Sequence, residues 1–158
     1  MRSWFLGLVA LAGCGSPTTP EGFPKLASEY VGTLGAEFTS VPGGVRTSGV
    51  PCIVTVTVAS QDGASFQGTY DRGVPCARAI YALSGTVQKT GAAIVDIAGG
   101  PDSFQGFDQC RYVSGDDRWR GNVERDELSV RIDVVLTCPQ TGAQRTVATI
   151  SARRQTGR

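Results

Sequence analysis

Between residues 128 and 138 every second side chain is apolar: Leu128, Val130, Ile132, Val134, Leu136 and Cys138. Ser129, Arg131, Asp133, Val135 and Thr137 lie between them. A period of two sorts these sets onto opposite faces of a pleated strand; a helix would scatter them around its axis. The stretch predicts a half-buried strand whose apolar face needs a second layer to cover it. The same rhythm runs through Cys52-Val54-Val56-Val58, Phe66-Gly68-Tyr70 and Tyr81-Leu83-Gly85-Val87. It returns in Ala93-Val95-Ile97 and Trp119-Gly121-Val123. No stretch after residue 28 keeps a helical period, so the domain is expected to be all-β.

The turns give an independent test. Gln61-Asp62-Gly63, Lys89-Thr90-Gly91 and Gln140-Thr141-Gly142 each separate two such stretches. A three-residue hairpin loop places its last residue in the left-handed region, where glycine is free of strain. That reading sets Val58 opposite Phe66, Val56 opposite Gly68 and Val54 opposite Tyr70. It sets Val87 opposite Ala93, Gly85 opposite Val95 and Leu83 opposite Ile97. It also sets Val134 opposite Ala148 and Ile132 opposite Ile150. A fourth hairpin, turning at 124–127, sets Val123 opposite Leu128, Gly121 opposite Val130 and Trp119 opposite Ile132. On its outer face Arg118 would meet Asp133, and Arg120 would lie beside Arg131.

Four hairpins give eight strands, or nine with Tyr30 to Phe38. Short strands in local succession predict an antiparallel up-and-down meander. Closure into a small barrel of about eight strands would cover the apolar faces and remove open edges. A two-sheet β-sandwich is the alternative. Phe66-Gln67-Gly68-Thr69-Tyr70 and Trp119-Arg120-Gly121 resemble pieces of avidin and lipocalin barrels. The resemblance implies a ligand cavity, with Trp119, Tyr70, Phe66 and Tyr81 as its candidate lining. It does not carry biotin binding, because avidin pockets use several tryptophans and only Trp119 follows residue 4 here.

The N-terminus reads differently. Met1-Arg2-Ser3 is a short positive start, followed by an apolar run from Trp4 to Ala12. Nine residues are too few to span a bilayer as a helix, which takes about 20. Charged start, short apolar run and small residues have the form of a secretory signal. Leu11-Ala12-Gly13-Cys14 resembles the bacterial lipoprotein box. The resemblance implies a signal peptide over 1–13, cleavage before Cys14 and acylation of its thiol and new amino group. Two or three acyl chains would anchor the protein, where one alone binds marginally. The residue after Cys14 is glycine, not the aspartate that retains enterobacterial lipoproteins in the inner membrane. By that analogy the chain is expected at the outer membrane. Residues 14–27, rich in proline and poor in apolar groups, are read as lipidated cysteine plus flexible tether. Residues 28–155 are read as one barrel domain.

Five cysteines then divide as one plus four. Cys52, Cys76, Cys110 and Cys138 are an even set in an exported chain, and three connectivities are possible. In the expected register Cys52 faces Arg72, so Cys76 follows just beyond the same hairpin end. Cys110 precedes the strand pair that Cys138 closes. The expected bridges are Cys52–Cys76 and Cys110–Cys138, each worth about 3.5 kcal/mol in the chain-entropy model. A four-cysteine zinc site lacks the short paired spacing that such sites use.

The composition sets limits on chemistry. The chain has no histidine, which removes imidazole triads and HExxH zinc sites. Its net charge of +1 argues against electrostatic nucleic-acid binding. Asp116-Asp117 and Asp126-Glu127 are adjacent carboxylates on polar turns, not a pair facing each other across a cleft. Ser114 to Asp117 lacks the ligand spacing of a calcium loop. Lys25 and Lys89 are poorly placed for a Ser-Lys dyad. Arg118, Arg120 and Arg131 form a candidate anion patch. Residues 99–116, with Phe104, Phe107 and Tyr112, show no clean period. The expectation is a lipid-anchored envelope protein without cofactor, metal or catalytic role. It would bind a small apolar ligand, a peptide or an envelope partner; a purely structural envelope lipoprotein is the alternative, and a hydrolase ranks behind both.

Overall fold

The computed structural model describes residues 22–99 and 110–156, and every regular element among them is a strand. The strands are β1 (Glu29–Ser40), β2 (Arg46–Ser48), β3 (Cys52–Asp62), β4 (Ser65–Arg72) and β5 (Ala79–Val87). β6 (Ala92–Ile97), β7 (Arg111–Val123), β8 (Glu127–Cys138) and β9 (Gly142–Arg154) follow. From β3 to β9 each strand pairs antiparallel with the next in sequence. β1 lies between the two ends of that meander. It pairs with β3 over Glu29 to Leu34 and with β9 from Tyr30↔Arg154 to Ser40↔Gln144. Eight strands are thereby closed into a barrel, not a two-sheet sandwich. The short β2 is an addition: it pairs with Glu37, Phe38 and Thr39 of β1, past the point where β3 begins. Counting the hairpin strands as eight counted β8 twice, since it serves two hairpins; β1 restores the number.

The inward face of every strand carries the apolar half of the alternation. Val54, Val56, Phe66, Tyr70, Leu83, Val87, Val95 and Trp119 are buried. So are Leu128 to Leu136 at alternate positions, and Ala148, Ile150 and Ala152. These side chains form one contiguous cluster. Glycines let the small barrel curve this tightly. A Cβ on Gly68 would lie 1.7 Å from the Thr57 carbonyl oxygen, and one on Gly121 2.0 Å from that of Ser129. At these points the neighbouring backbone occupies the place of a side chain. Gly85 makes room instead for the ring of its cross-strand neighbour Phe66.

The expected registers meet mixed outcomes. β5 and β6 pair as read, Val87↔Ala93, Gly85↔Val95 and Leu83↔Ile97. β7 and β8 begin as read, Val123↔Leu128 and Gly121↔Val130. Past Arg120↔Arg131 the register shifts, so Trp119 does not pair with Ile132. Between β3 and β4 the pairs are Val56↔Tyr70 and Val58↔Gly68, two residues from the expected ones. The turn encloses only Gly63 and Ala64, and a bulge between Val58 and Ser60 absorbs the odd residue. Between β8 and β9 the loop is Pro139-Gln140-Thr141, one position earlier than read, giving Ile132↔Ala148 and Val130↔Ile150. These two slips are by two, which keeps the paired residues on their own faces; the alternation changes only at the one-residue shifts, Val58/Ser60 in β3 and Tyr112/Ser114 in β7.

Two boundaries also differ. β7 begins at Arg111, well before Trp119, so Tyr112 belongs to a strand. Leu26 and Ala27, read as the end of the tether, are buried in the core cluster. The signal peptide, Cys14, Phe104 and Phe107 lie outside the described residues.

Gly121→Ala is expected to cost about 1–3 kcal/mol through overpacking. Gly35→Ala, where a new Cβ meets nothing within 4 Å, should leave stability unchanged or raise it by up to about 1 kcal/mol. Urea denaturation of both variants checks the pair; equal losses would mean the close strand approach at Gly121 is not there.

Candidate functional site

The meander gives the barrel two unlike ends. At the first, the chain arrives before β1 and folds across the barrel mouth. Gln61, near the end of β3, clamps it: its Oε1 accepts from Leu26 N–H (3.0 Å) and its Nε2 donates to Pro24 O (2.9 Å) and Gly63 O (3.1 Å). The Tyr30 hydroxyl accepts from Ala27 N–H (2.9 Å) and donates to Glu124 O (2.7 Å) in the β7–β8 turn. It thus sews the N-terminal segment to the opposite side of the barrel. Burial holds the Tyr30 hydroxyl above its usual pKa, against the lowering effect of the Ala27 bond. Lys89 Nζ lies 5.8 Å from the centre of the Phe23 ring, a cation–π contact from the β5–β6 turn.

The interior holds the four residues read as cavity lining. Trp119, Tyr70 and Phe66 are core side chains, each no more than 2% exposed. Tyr81 is partly buried and stacks on Tyr70 with ring centres 6.1 Å apart. Phe66 lies over Gly85, and Trp119 pairs with Val95 across β6 and β7. The Tyr70 hydroxyl is buried with no hydrogen-bond partner, and burial drives its pKa far up. Two residues along, Arg72 is also buried and donates from Nε to Ala77 O (3.0 Å).

The second end carries both disulfides. Cys52–Cys76 ties the start of β3 to the β4–β5 loop, and Cys110–Cys138 ties the start of β7 to the end of β8. Both are the pairings expected from sequence. The two-residue slip of β3 against β4 did not disturb the first, because Ile53 N–H bonds to Val74 O (2.9 Å) just beside Cys76. The large apolar side chains that stay exposed gather at this end. Val41, Val45 and Val50 lie in the chain between β1 and β3. Val74 lies in the β4–β5 loop, Ile53 and Ile80 each in the second position of their strand, and Tyr112 and Val113 at the start of β7.

On the outer wall the candidate anion patch is occupied by the protein's own carboxylates. Arg120 pairs with Asp116, Arg131 with Asp133 (3.5 Å), and Arg118 reaches Asp96 (4.0 Å) instead of Asp133. Asp133 is held by Arg145 through two hydrogen bonds, 2.8 and 2.6 Å. The Arg145 guanidinium keeps its carboxyl below the usual range, as Arg120 does for Asp116. Asp126 pairs with Arg154 (3.5 Å). Of the acids singled out as possible calcium or catalytic groups, Asp116 is thus drawn into an ion pair within β7 and Asp126 into one with β9. Among the described residues, no three potential metal ligands come together.

Comparison with protein-family models, curated proteins and solved structures gave no match. The features missed in the sequence are the N-terminal clamp and Arg72. Arg72 was legible, since it continues the inward series Phe66, Gly68, Tyr70. The clamp was not: a lone glutamine at a strand end has no pattern.

The two buried tyrosines make opposite tests. Tyr30→Phe strands the buried Ala27 N–H and should cost about 1–3 kcal/mol. Tyr70→Phe removes a hydroxyl with no partner and should be neutral or stabilising. Thermal and urea unfolding check both; a large loss for Tyr70→Phe would mean its hydroxyl is bonded.

Proposed function

We propose that this is a lipid-anchored cell-envelope protein that binds, without catalysis, an envelope partner at its disulfide end. The observation that carries this reading is the gathering of exposed valine and isoleucine side chains at the end opposite the arriving N-terminal chain. Large apolar groups clustered in one region mark interaction surfaces, whereas scattered ones are ordinary. The disulfides beside them hold the loops in a fixed shape, which lowers the ordering cost of association. An acyl group on Cys14 would tether the other end, so the apolar rim would point away from that membrane. The outer membrane remains the favoured location, by the glycine that follows Cys14.

The packing of Trp119, Tyr70 and Phe66 weighs against the alternative of a small apolar ligand held in the interior. A filled eight-stranded barrel is a scaffold, and its recognition lies on loops at its ends.

A photo-crosslinking residue at Val50 or Val74, tested in the native cell, is expected to trap one defined partner. The same probe at Glu127, on the clamped end, should not trap it. Val50→Asp with Val74→Asp should keep the fold, since both side chains are about 70% exposed, and abolish the adduct. The same adduct from Glu127, or its survival in the double variant, would contradict the reading.

A further inference from the structure

A groove of ≈ 840 Å³ runs along the clamped end, beside the arriving chain. One wall is the N-terminal segment with Phe23, Lys25 and Leu26, and the other is the bulged part of β3 from Val58 to Gln61. Arg125 from the β7–β8 turn and Arg154 from the end of β9 complete it. The parts are fastened together by the Gln61 clamp and by three backbone bonds: Val58 N–H to Ser28 O, Arg154 N–H to Asp126 O, and Gln155 N–H to Glu29 O. The lining stretch of β3 contains the register shift between Val58 and Ser60, where Ala59 leaves the ladder with β4.

The charges of the lining are one-sided. It contains three cations, Lys25, Arg125 and Arg154, and no carboxylate. Glu29, Asp62 and Asp126 sit on the same elements but do not line it, and of these Asp126 pairs with Arg154. Among the described residues, Lys25 and Arg125 make no ion pair. Ser28 and Ser60, which carry hydroxyls, and the apolar Phe23 and Val58 line the groove with the cations. A ligand that fits must bring negative charge and an apolar stem together. Guanidinium and ammonium groups recognise phosphate well, the former with paired donors.

We propose that this groove binds the headgroup of an anionic phospholipid, with the phosphate between Lys25 and Arg125 and the glycerol stem against Phe23 and Val58. The source is a membrane because the chain that forms one wall begins, at Gly22, only eight residues in sequence after Cys14, the expected site of lipid attachment. The inference therefore rests on the anchored reading for the nature of its ligand, while the groove's chemistry stands apart from it. Headgroup capture would hold the barrel clamped end down, so that the apolar rim faces outward instead of rolling about its tether.

The test uses the full mature protein in dodecyl maltoside micelles. The micelles are doped with dioleoylphosphatidylglycerol or dioleoylphosphatidylcholine, and a third series receives inorganic phosphate instead. The readout is the amide NMR shift of Ser28, Ala59, Ser60 and Gln155. Saturable shifts are expected with phosphatidylglycerol, with phosphatidylcholine and inorganic phosphate at least about ten-fold weaker. Lys25→Gln with Arg125→Gln should weaken the response about ten-fold or more, because two charged hydrogen-bond donors are lost. The charge-matched Arg46→Gln with Arg78→Gln, both at the disulfide end, should not. No saturable shift, equal response to phosphatidylcholine or to inorganic phosphate, or equal loss in both double variants would overturn the proposal. The intact mass of the same sample reports acylation of Cys14 separately. An unacylated protein that still binds the lipid would refute the anchor and leave the groove standing.

Discussion

The pairing of the first strand with the last is the constraint on which the rest depends. β1 joins β9 along eleven successive positions, Tyr30 to Ser40, and it also joins β3 over Glu29 to Leu34. Without that double pairing the meander would end in two open edges, and its one-sided apolar faces would have no opposing layer. With it, each strand faces the others across one core. Closure also explains why the N-terminal clamp matters. Tyr30 stands at the start of the closing strand, and its hydroxyl links Ala27 to Glu124. The same side chain therefore fixes the closing strand and the cap over the barrel mouth.

Closure at this size leaves a narrow interior, and the chain fills it with a few large rings and makes room with glycines. Trp119, Tyr70, Tyr30 and Phe66 carry the bulk, while Gly68, Gly121 and Gly85 admit backbone or ring where a side chain would collide. What remains available for recognition is the wall and the two ends. The wall is spent on paired charges, Asp133 with Arg145 and Arg131, and Asp116 with Arg120. The ends are chemically opposite. One is capped by the N-terminal chain and lined by the cations Lys25, Arg125 and Arg154, and the other is stapled by disulfides and rimmed with exposed apolar side chains. A protein held to a membrane at the first end would offer the second to whatever lies across from it.

Much of this architecture was legible because a period of two reports faces, and faces survive slips of two residues. Val54, Val56, Tyr70, Ile132 and Ile150 were assigned inward correctly even where their partners were not. Registers were harder, because turn glycines do not reveal a compensating bulge. Gly63 closes a two-residue turn only because Ala59 is pushed out of the β3 ladder. The disulfides were legible because both pairs bridge neighbouring strand ends, where a small slip leaves the cysteines close. The clamp was not, since Gln61 gains its role through two hydrogen bonds to backbone that arrives from elsewhere, at Pro24 and Leu26. The start of β7 was hidden too: its first residues, from Arg111, are mostly exposed and carry no apolar alternation.

Native mass spectrometry of the protein drawn from its own membrane tests the filled, anchored barrel most directly. The expected species begins at Cys14, carries acyl mass, lacks four hydrogens for two disulfides, and holds no small molecule beyond exchangeable lipid. A stoichiometric apolar molecule that survives removal of lipid would show that the interior is a binding cavity. A chain without acyl mass would show that the barrel reaches its partners by some means other than a lipid tether.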